Sequence, residues 1–131
     1  MGKKKNKKSY LIAGIFLLII LVIFLSFKIN EDNWIKDERG VWIKHGNPTK
    51  IPKEVKEQQQ AINCAYNLFN NFSGEINSQC LGICENYSVD VVHVPRTGED
   101  SLVDNQCWDY IEVKTNNFIE LDKERNIVRI V

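Results

Sequence analysis

Cys64, Cys80, Cys84 and Cys107 are the residues of this chain best equipped for chemistry, since sulfur can bond to sulfur, ligate a metal or pass electrons. A Cys-x-x-Cys redox centre is absent, because three residues separate Cys80 from Cys84. A structural zinc ribbon needs two close pairs, and only this one is present. All four lie C-terminal to an apolar segment described below, on the side expected to face an oxidising compartment, where an even count reads as two disulfides. A Cys80–Cys84 bond would close a very short loop and stabilise least by chain entropy. Each of those two is therefore expected to pair with one of Cys64 and Cys107.

His45 and His93 are the only histidines. His45 falls in a turn. His93 ends an expected strand near Asp90, Glu99, Asp100 and Asp104, a group able to orient an imidazole or attract a cation. Asp90, His93 and Arg96 are kept as candidate site residues, beside the ordinary reading of a half-exposed strand histidine next to an acidic loop. No serine elbow, His-Glu-x-x-His, phosphate-binding glycine loop or calcium-loop pattern occurs, so no catalytic, metal or cofactor-binding residue is assigned and no cofactor is expected. Asn71-Phe72-Ser73 and Asn86-Tyr87-Ser88 match the N-glycosylation sequon.

The elements that must position these residues follow from pattern. Trp34-Ile35-Lys36 and Val41-Trp42-Ile43-Lys44 flank a polar turn ending in Gly40 and read as a β-hairpin, with Trp34 and Trp42 expected on one face. Pro52 suits the first residue of a helix, with Glu54 and Glu57 in its opening turns. Val55, Ile62, Tyr66, Phe69 and Phe72 then recur at helical spacing, giving a core-facing helix of about 20 residues. Cys80–Cys84 reads as a loop leading to a strand over Tyr87–Val94. Ser101-Leu102-Val103-Asp104 has the form of a helix start, and Leu102, Val103, Cys107, Tyr110 and Ile111 keep a helical stripe. Phe118–Leu121 and Ile127–Val131 make a final hairpin. The fold class expected is α+β: an N-terminal transmembrane helix, then a small disulfide-stabilised domain with one long helix on an antiparallel sheet built from hairpins.

Tyr10 to Phe27 are 18 residues without a charge, fourteen of them Leu, Ile, Val or Phe. At ~1.5 Å per residue they rise about 27 Å, close to the hydrocarbon thickness of a bilayer. Phe24-Leu25-Ser26-Phe27 presents large residues where a signal-peptidase site needs small ones, so this is expected to be an uncleaved signal anchor. Lys3, Lys4, Lys5, Lys7 and Lys8 precede it, which places the N-terminus in the cytoplasm and the C-terminal domain outside. The expected organisation is a basic tail (1–9), a membrane helix (10–27), a stalk (28–33) and an extracytoplasmic domain (34–131).

Seventeen basic residues balance seventeen acidic ones; removing the five tail lysines leaves twelve against seventeen, a net of −5. An acidic domain argues against nucleic acid, whose affinity comes mainly from Lys and Arg on phosphates. The expected partners are the lipid bilayer, through residues 10–27, and an extracytoplasmic protein or envelope component. The leading function is membrane-anchored binding or scaffolding at the cell envelope. The alternatives are an extracytoplasmic hydrolase or thiol-redox enzyme using His93 with nearby carboxylates or cysteines, and an accessory subunit of a membrane complex.

Overall fold

The computed structural model describes residues 7–29 and 32–131, with side chains described over 10–26 and 32–131. Most of the basic tail and part of the stalk lie outside the described residues. The chain divides into two compact units. The first holds helix α1, Lys7–Ile29, and the Lys44–Thr49 segment, in which Asp32 accepts from the Asn47 N–H at 2.8 Å. Large apolar side chains from Tyr10 to Leu25 are exposed on every side of α1. Among the described residues no helix is long and apolar enough to cross a membrane. The stretch of α1 with described side chains, 10–26, rises about 26 Å, against the ~30 Å of a hydrocarbon core.

The second unit is an α+β domain. It contains one long helix, α2 (Lys53–Asn71), and a four-stranded sheet of β3 (Gln79–Cys84), β4 (Tyr87–Val91), β5 (Asn117–Leu121) and β6 (Ile127–Ile130), in that order. A separate two-stranded sheet pairs β1 (Asn33–Lys36) with β2 (Trp42–His45), as the hairpin pattern predicts. Pro52 immediately precedes α2 rather than opening it. Phe72 falls beyond the helix and is exposed, so the expected stripe ends at Phe69.

The helix seats its small residues on the sheet. Ala61 and Ala65 are fully buried against Cys84, Val89, Ile119, Leu121 and Ile130, and Ile62, Tyr66, Leu68 and Phe69 close the edges. Alanine at these positions lets the helix backbone approach the sheet closely, while β-branched strand residues fill the pleat opposite. Gln58 is buried on the same helix. Its amide donates to Gly40 O at 2.9 Å and its carbonyl accepts from Trp42 N–H at 2.8 Å, tying α2 to the first hairpin.

Four expectations are corrected by the sheet and the crossover. The sheet is mixed rather than wholly antiparallel: β3–β4 and β5–β6 are antiparallel, but β4 and β5 run parallel. A parallel pair needs a crossover of a dozen residues or more, and residues 92–116 supply it. Cys80–Cys84 is not a loop but lies within β3, where Gly82 at φ +138° occupies an irregularity in the ladder. The expected helix from Ser101 is broken into 3-10 turns at Gly98–Ser101 and Val103–Asn105 and a short α3, Trp108–Ile111. The strand over 87–94 also stops early, at Val91, because the His93 N–H leaves the ladder and donates to Asp100.

Candidate functional site

The sheet has two unlike faces. Side chains alternate along a strand, so Val89, Ile119 and Leu121 face α2, while Ser88, Asp90, Phe118 and Glu120 face the crossover. Register carries one polar row across all four strands: Cys80 opposite Asp90, Asp90 beside Glu120, and Glu120 opposite Arg129. The crossover lies over this row. Cys107 bonds to Cys80, Thr115 shares a 2.6 Å hydroxyl contact with Ser88, and Tyr110 meets Phe118 edge-on at 5.2 Å.

Both disulfides follow the expected pattern, in which neither Cys80 nor Cys84 pairs with the other. Cys64 on α2 bonds Cys84 on β3, and Cys80 on β3 bonds Cys107 at the start of α3. The first ties the helix to the sheet. The second ties the crossover to the opposite face.

A cleft of about 140 Å³ opens over the polar row, lined by Asp90, Arg96, Tyr110, Phe118, Glu120 and Arg129. Glu120 is its electrostatic centre. Arg96 Nη1 donates to Glu120 Oε1, and Arg129 grips both oxygens, Nε to Oε2 at 3.1 Å and Nη2 to Oε1 at 3.2 Å. The Arg129 guanidinium also lies over the Phe118 ring, 4.9 Å from its centre. Asp90 is treated differently. Burial pushes its carboxyl up to about 6, the neighbouring Glu120 charge adds to this, and the Cys107 N–H and Arg96 only partly oppose it. Its Oδ1 is buried with no hydrogen-bond partner among the described residues. The row therefore holds one carboxylate fixed by two guanidinia and one carboxyl poised to exchange a proton near neutral pH.

His93 belongs to a neighbouring cluster. Its Nδ1 is 2.9 Å from Asp100 Oδ1 and 3.1 Å from Thr97 Oγ1. Asp100 also accepts from the backbone N–H groups of His93, at 3.0 Å, and Thr97, at 2.7 Å, and completes a capping box with Thr97 on the first 3-10 turn. Burial alone would raise the Asp100 carboxyl, but the N–H donors of Thr97 and His93, the His93 ring and the Ser78 hydroxyl outweigh it. They hold it well below the usual carboxylate range. A carboxylate fixed to an imidazole can serve catalysis, yet here both oxygens anchor the crossover's first turn.

The three candidates named from sequence are thus split. Asp90 and Arg96 line the cleft; His93 is held in the cap. Asn71 and Asn86, the sequon asparagines, are both exposed, at the end of α2 and in the β3–β4 turn. Glu120 and Arg129 carry no signal in the sequence beyond strand alternation, which assigns charged residues to solvent when the cover over that face is unseen.

The largest correction concerns the crossover. Of the expected helical stripe only Cys107 is buried. Its other members, Leu102, Val103, Tyr110 and Ile111, remain exposed, and so do Trp108, by 58%, and Val113, by 73%, which lie outside that stripe. Val113 also stands at φ +59°, in the left-handed region where a β-branched side chain is strained. It ends α3 in the position glycine normally takes: Val113 N–H donates to Tyr110 O at 3.1 Å and Lys114 N–H to Asp109 O at 2.8 Å.

No protein-family model, no curated protein and no solved structure matches this chain.

Proposed function

We propose that this chain is a single-pass, membrane-anchored docking module whose extracytoplasmic domain binds a protein partner through residues 102–113. One observation carries the reading: the apolar residues Leu102, Val103, Trp108, Tyr110, Ile111 and Val113 are left in solvent within one short stretch of a small domain. Large exposed apolar side chains gathered together mark interaction surfaces, and Trp and Tyr are the residues that most often anchor them. The left-handed backbone at the β-branched Val113 adds support, since strain of this kind concentrates at functional sites. Glu99, Asp104, Asp109 and Glu112 flank or interrupt this apolar stretch in the sequence, and Lys114 is engaged by Asp109 and Glu112. The complementary surface is a protein with an apolar centre and a basic rim, rather than an anionic lipid surface.

Anchoring rests on α1. Its exposed side chains from Leu11 to Leu25 are apolar on all sides, and the uncharged run continues through Phe27. Hydrocarbon is the medium that tolerates such a surface. The five lysines that precede the uncharged run support a cytoplasmic N-terminus. Protease added to sealed, right-side-out cells should remove the domain and spare the tail. A domain protected until the membrane is opened would reverse the orientation.

The docking reading is tested in the full-length protein in its native membrane, with a photo-crosslinking side chain at position 113. A discrete adduct should form, weaken with salt, and be lost by at least about tenfold in Trp108→Asp, as expected for a central anchor. Ile83→Asp, a comparably exposed apolar position on β3, should leave it intact. An adduct insensitive to Trp108→Asp, or no discrete adduct, would sink the proposal.

A further inference from the structure

The two disulfides sit in different chemical surroundings. Among the described residues, one group of acidic and sulfur atoms converges: a carboxylate oxygen of Asp90, Cys80 Sγ and Cys107 Sγ, all within 4.8 Å of one another. No such acid joins Cys64 and Cys84, which pack in the apolar core beneath α2. Because Cys80 and Cys107 are bonded to each other, these sulfurs do not act as metal ligands in this state.

We propose that Cys80–Cys107 is a thiol-exchangeable disulfide, with Asp90 as its proton carrier. Cys80 is half-buried and Cys107 fully buried, so an incoming thiolate reaches Cys80. It attacks Cys80 Sγ, forming a mixed disulfide. The Cys80–Cys107 bond breaks, its electron pair stays on Cys107 Sγ, and that sulfur takes the Asp90 carboxyl proton. A second thiolate attacks the external sulfur of the mixed disulfide. The reductant leaves as its own disulfide, and Cys80 takes a proton from solvent, as Asp90 does to reset. Two electrons pass from two thiols to the protein.

Three observations support this path. A leaving thiolate is expelled more readily when a proton is at hand, and among the described residues Asp90 is the one acid grouped with these sulfurs. The Asp90 Oδ1 is buried with no hydrogen-bond partner among the described residues, so a proton there is not already engaged. The reduced Cys107 also finds acceptors in place: its Sγ lies 3.4 Å from Val89 O and 3.7 Å from Gly82 O, contacts that become hydrogen bonds only when the sulfur carries a proton. The charged and titratable groups around Asp90 are Glu120 on β5, Arg129 on β6, Arg96 and Asp100 in the crossover and Tyr110 on α3. Burial holds the Asp90 carboxyl near 6, so it carries a proton in part at neutral pH. Cys107 leads directly into Trp108, so opening the bond would free the docking segment; that consequence rests on the docking reading, whereas the exchange does not.

The test uses the full-length protein in detergent, without denaturant. Dithiothreitol is added, samples are quenched by alkylation, and each cysteine is mapped by mass spectrometry. Cys80 and Cys107 should be labelled at least about tenfold faster than Cys64 and Cys84, and Asp90→Asn should slow them by about tenfold. Corrected for thiolate concentration, the wild-type rate should rise as pH falls through about 6, and the Asp90→Asn rate should not. Labelling of both pairs together, or a rate and pH profile unchanged in Asp90→Asn, would overturn the assignment. The Cys64–Cys84 rate in the same sample reports whether the variant remains folded.

Discussion

Complete reduction and alkylation of the four cysteines is expected to leave the domain largely unfolded at 25 °C, even though its core residues are untouched. The two bonds span 20 and 27 residues. Loops of that length restrict the unfolded chain by about 3–4 kcal/mol each on the chain-entropy account. Together they approach the whole margin of a small domain, ~5–15 kcal/mol. The core offers little reserve, because one helix covers only one face of the sheet and the other face is lined by Ser88, Asp90 and Glu120. Losing Cys80–Cys107 also detaches the crossover from that polar face. Near-ultraviolet circular dichroism of the full chain in detergent would read the loss of packing at Trp34 and Tyr66. A reduced, alkylated protein melting cooperatively within about 5 °C of the oxidised one would show that the core alone suffices.

How far the sequence reached depended on the kind of signal. The α2 helix and the final hairpin were legible from periodicity, although the face that α2 seats on the sheet is centred on Ala61 and Ala65 rather than on the larger residues of the expected stripe. The disulfide pattern was legible because loop closure disfavours a Cys80–Cys84 bond. Two features of the sheet were not. β3 was hidden by Gly82, which reads as a loop residue yet fills an irregular position in a strand. The parallel β4–β5 pairing was hidden because pattern alone favours hairpins between successive strands, and the crossover of residues 92–116 has no long helix to announce it. The cleft suffered for the same reason. Glu120 and Arg129 look like solvent-facing strand residues until the crossover is laid over them. Gln58 gave no signal either, since a glutamine beside Gln59 and Gln60 reads as exposed, whereas its amide completes the first hairpin's hydrogen bonding.

The outcome at His93 separates a structural cluster from a catalytic one, and Asp100 is where the larger effect should fall. Asp100→Ala removes the acceptor for the backbone N–H groups of His93 and Thr97, for the His93 ring and for the Ser78 hydroxyl. The Asp100 side chain is fully buried, so water does not readily replace it. At about 1–3 kcal/mol for each donor stranded, less some relaxation of the turn, a loss of about 3–4 kcal/mol is expected. His93→Ala removes one of these partners and leaves the backbone bonds in place, so about 1 kcal/mol should be lost and docking retained. The pH dependence follows from the direction of the shift. A carboxyl held below its unfolded value of 3.8 contributes stability that is fully present above that value and is lost as the pH falls below it. Asp90 acts in the opposite sense, costing stability as the pH rises through about 6, but it does so in both proteins and cancels in their difference. The gap in melting temperature between wild type and Asp100→Ala should therefore be widest at neutral pH and narrow toward pH 3 and below. A gap independent of pH would mean that Asp100 acts by shape rather than as a charged acceptor, and a folded His93→Ala protein that no longer crosslinks its partner would move His93 from the cap to the site.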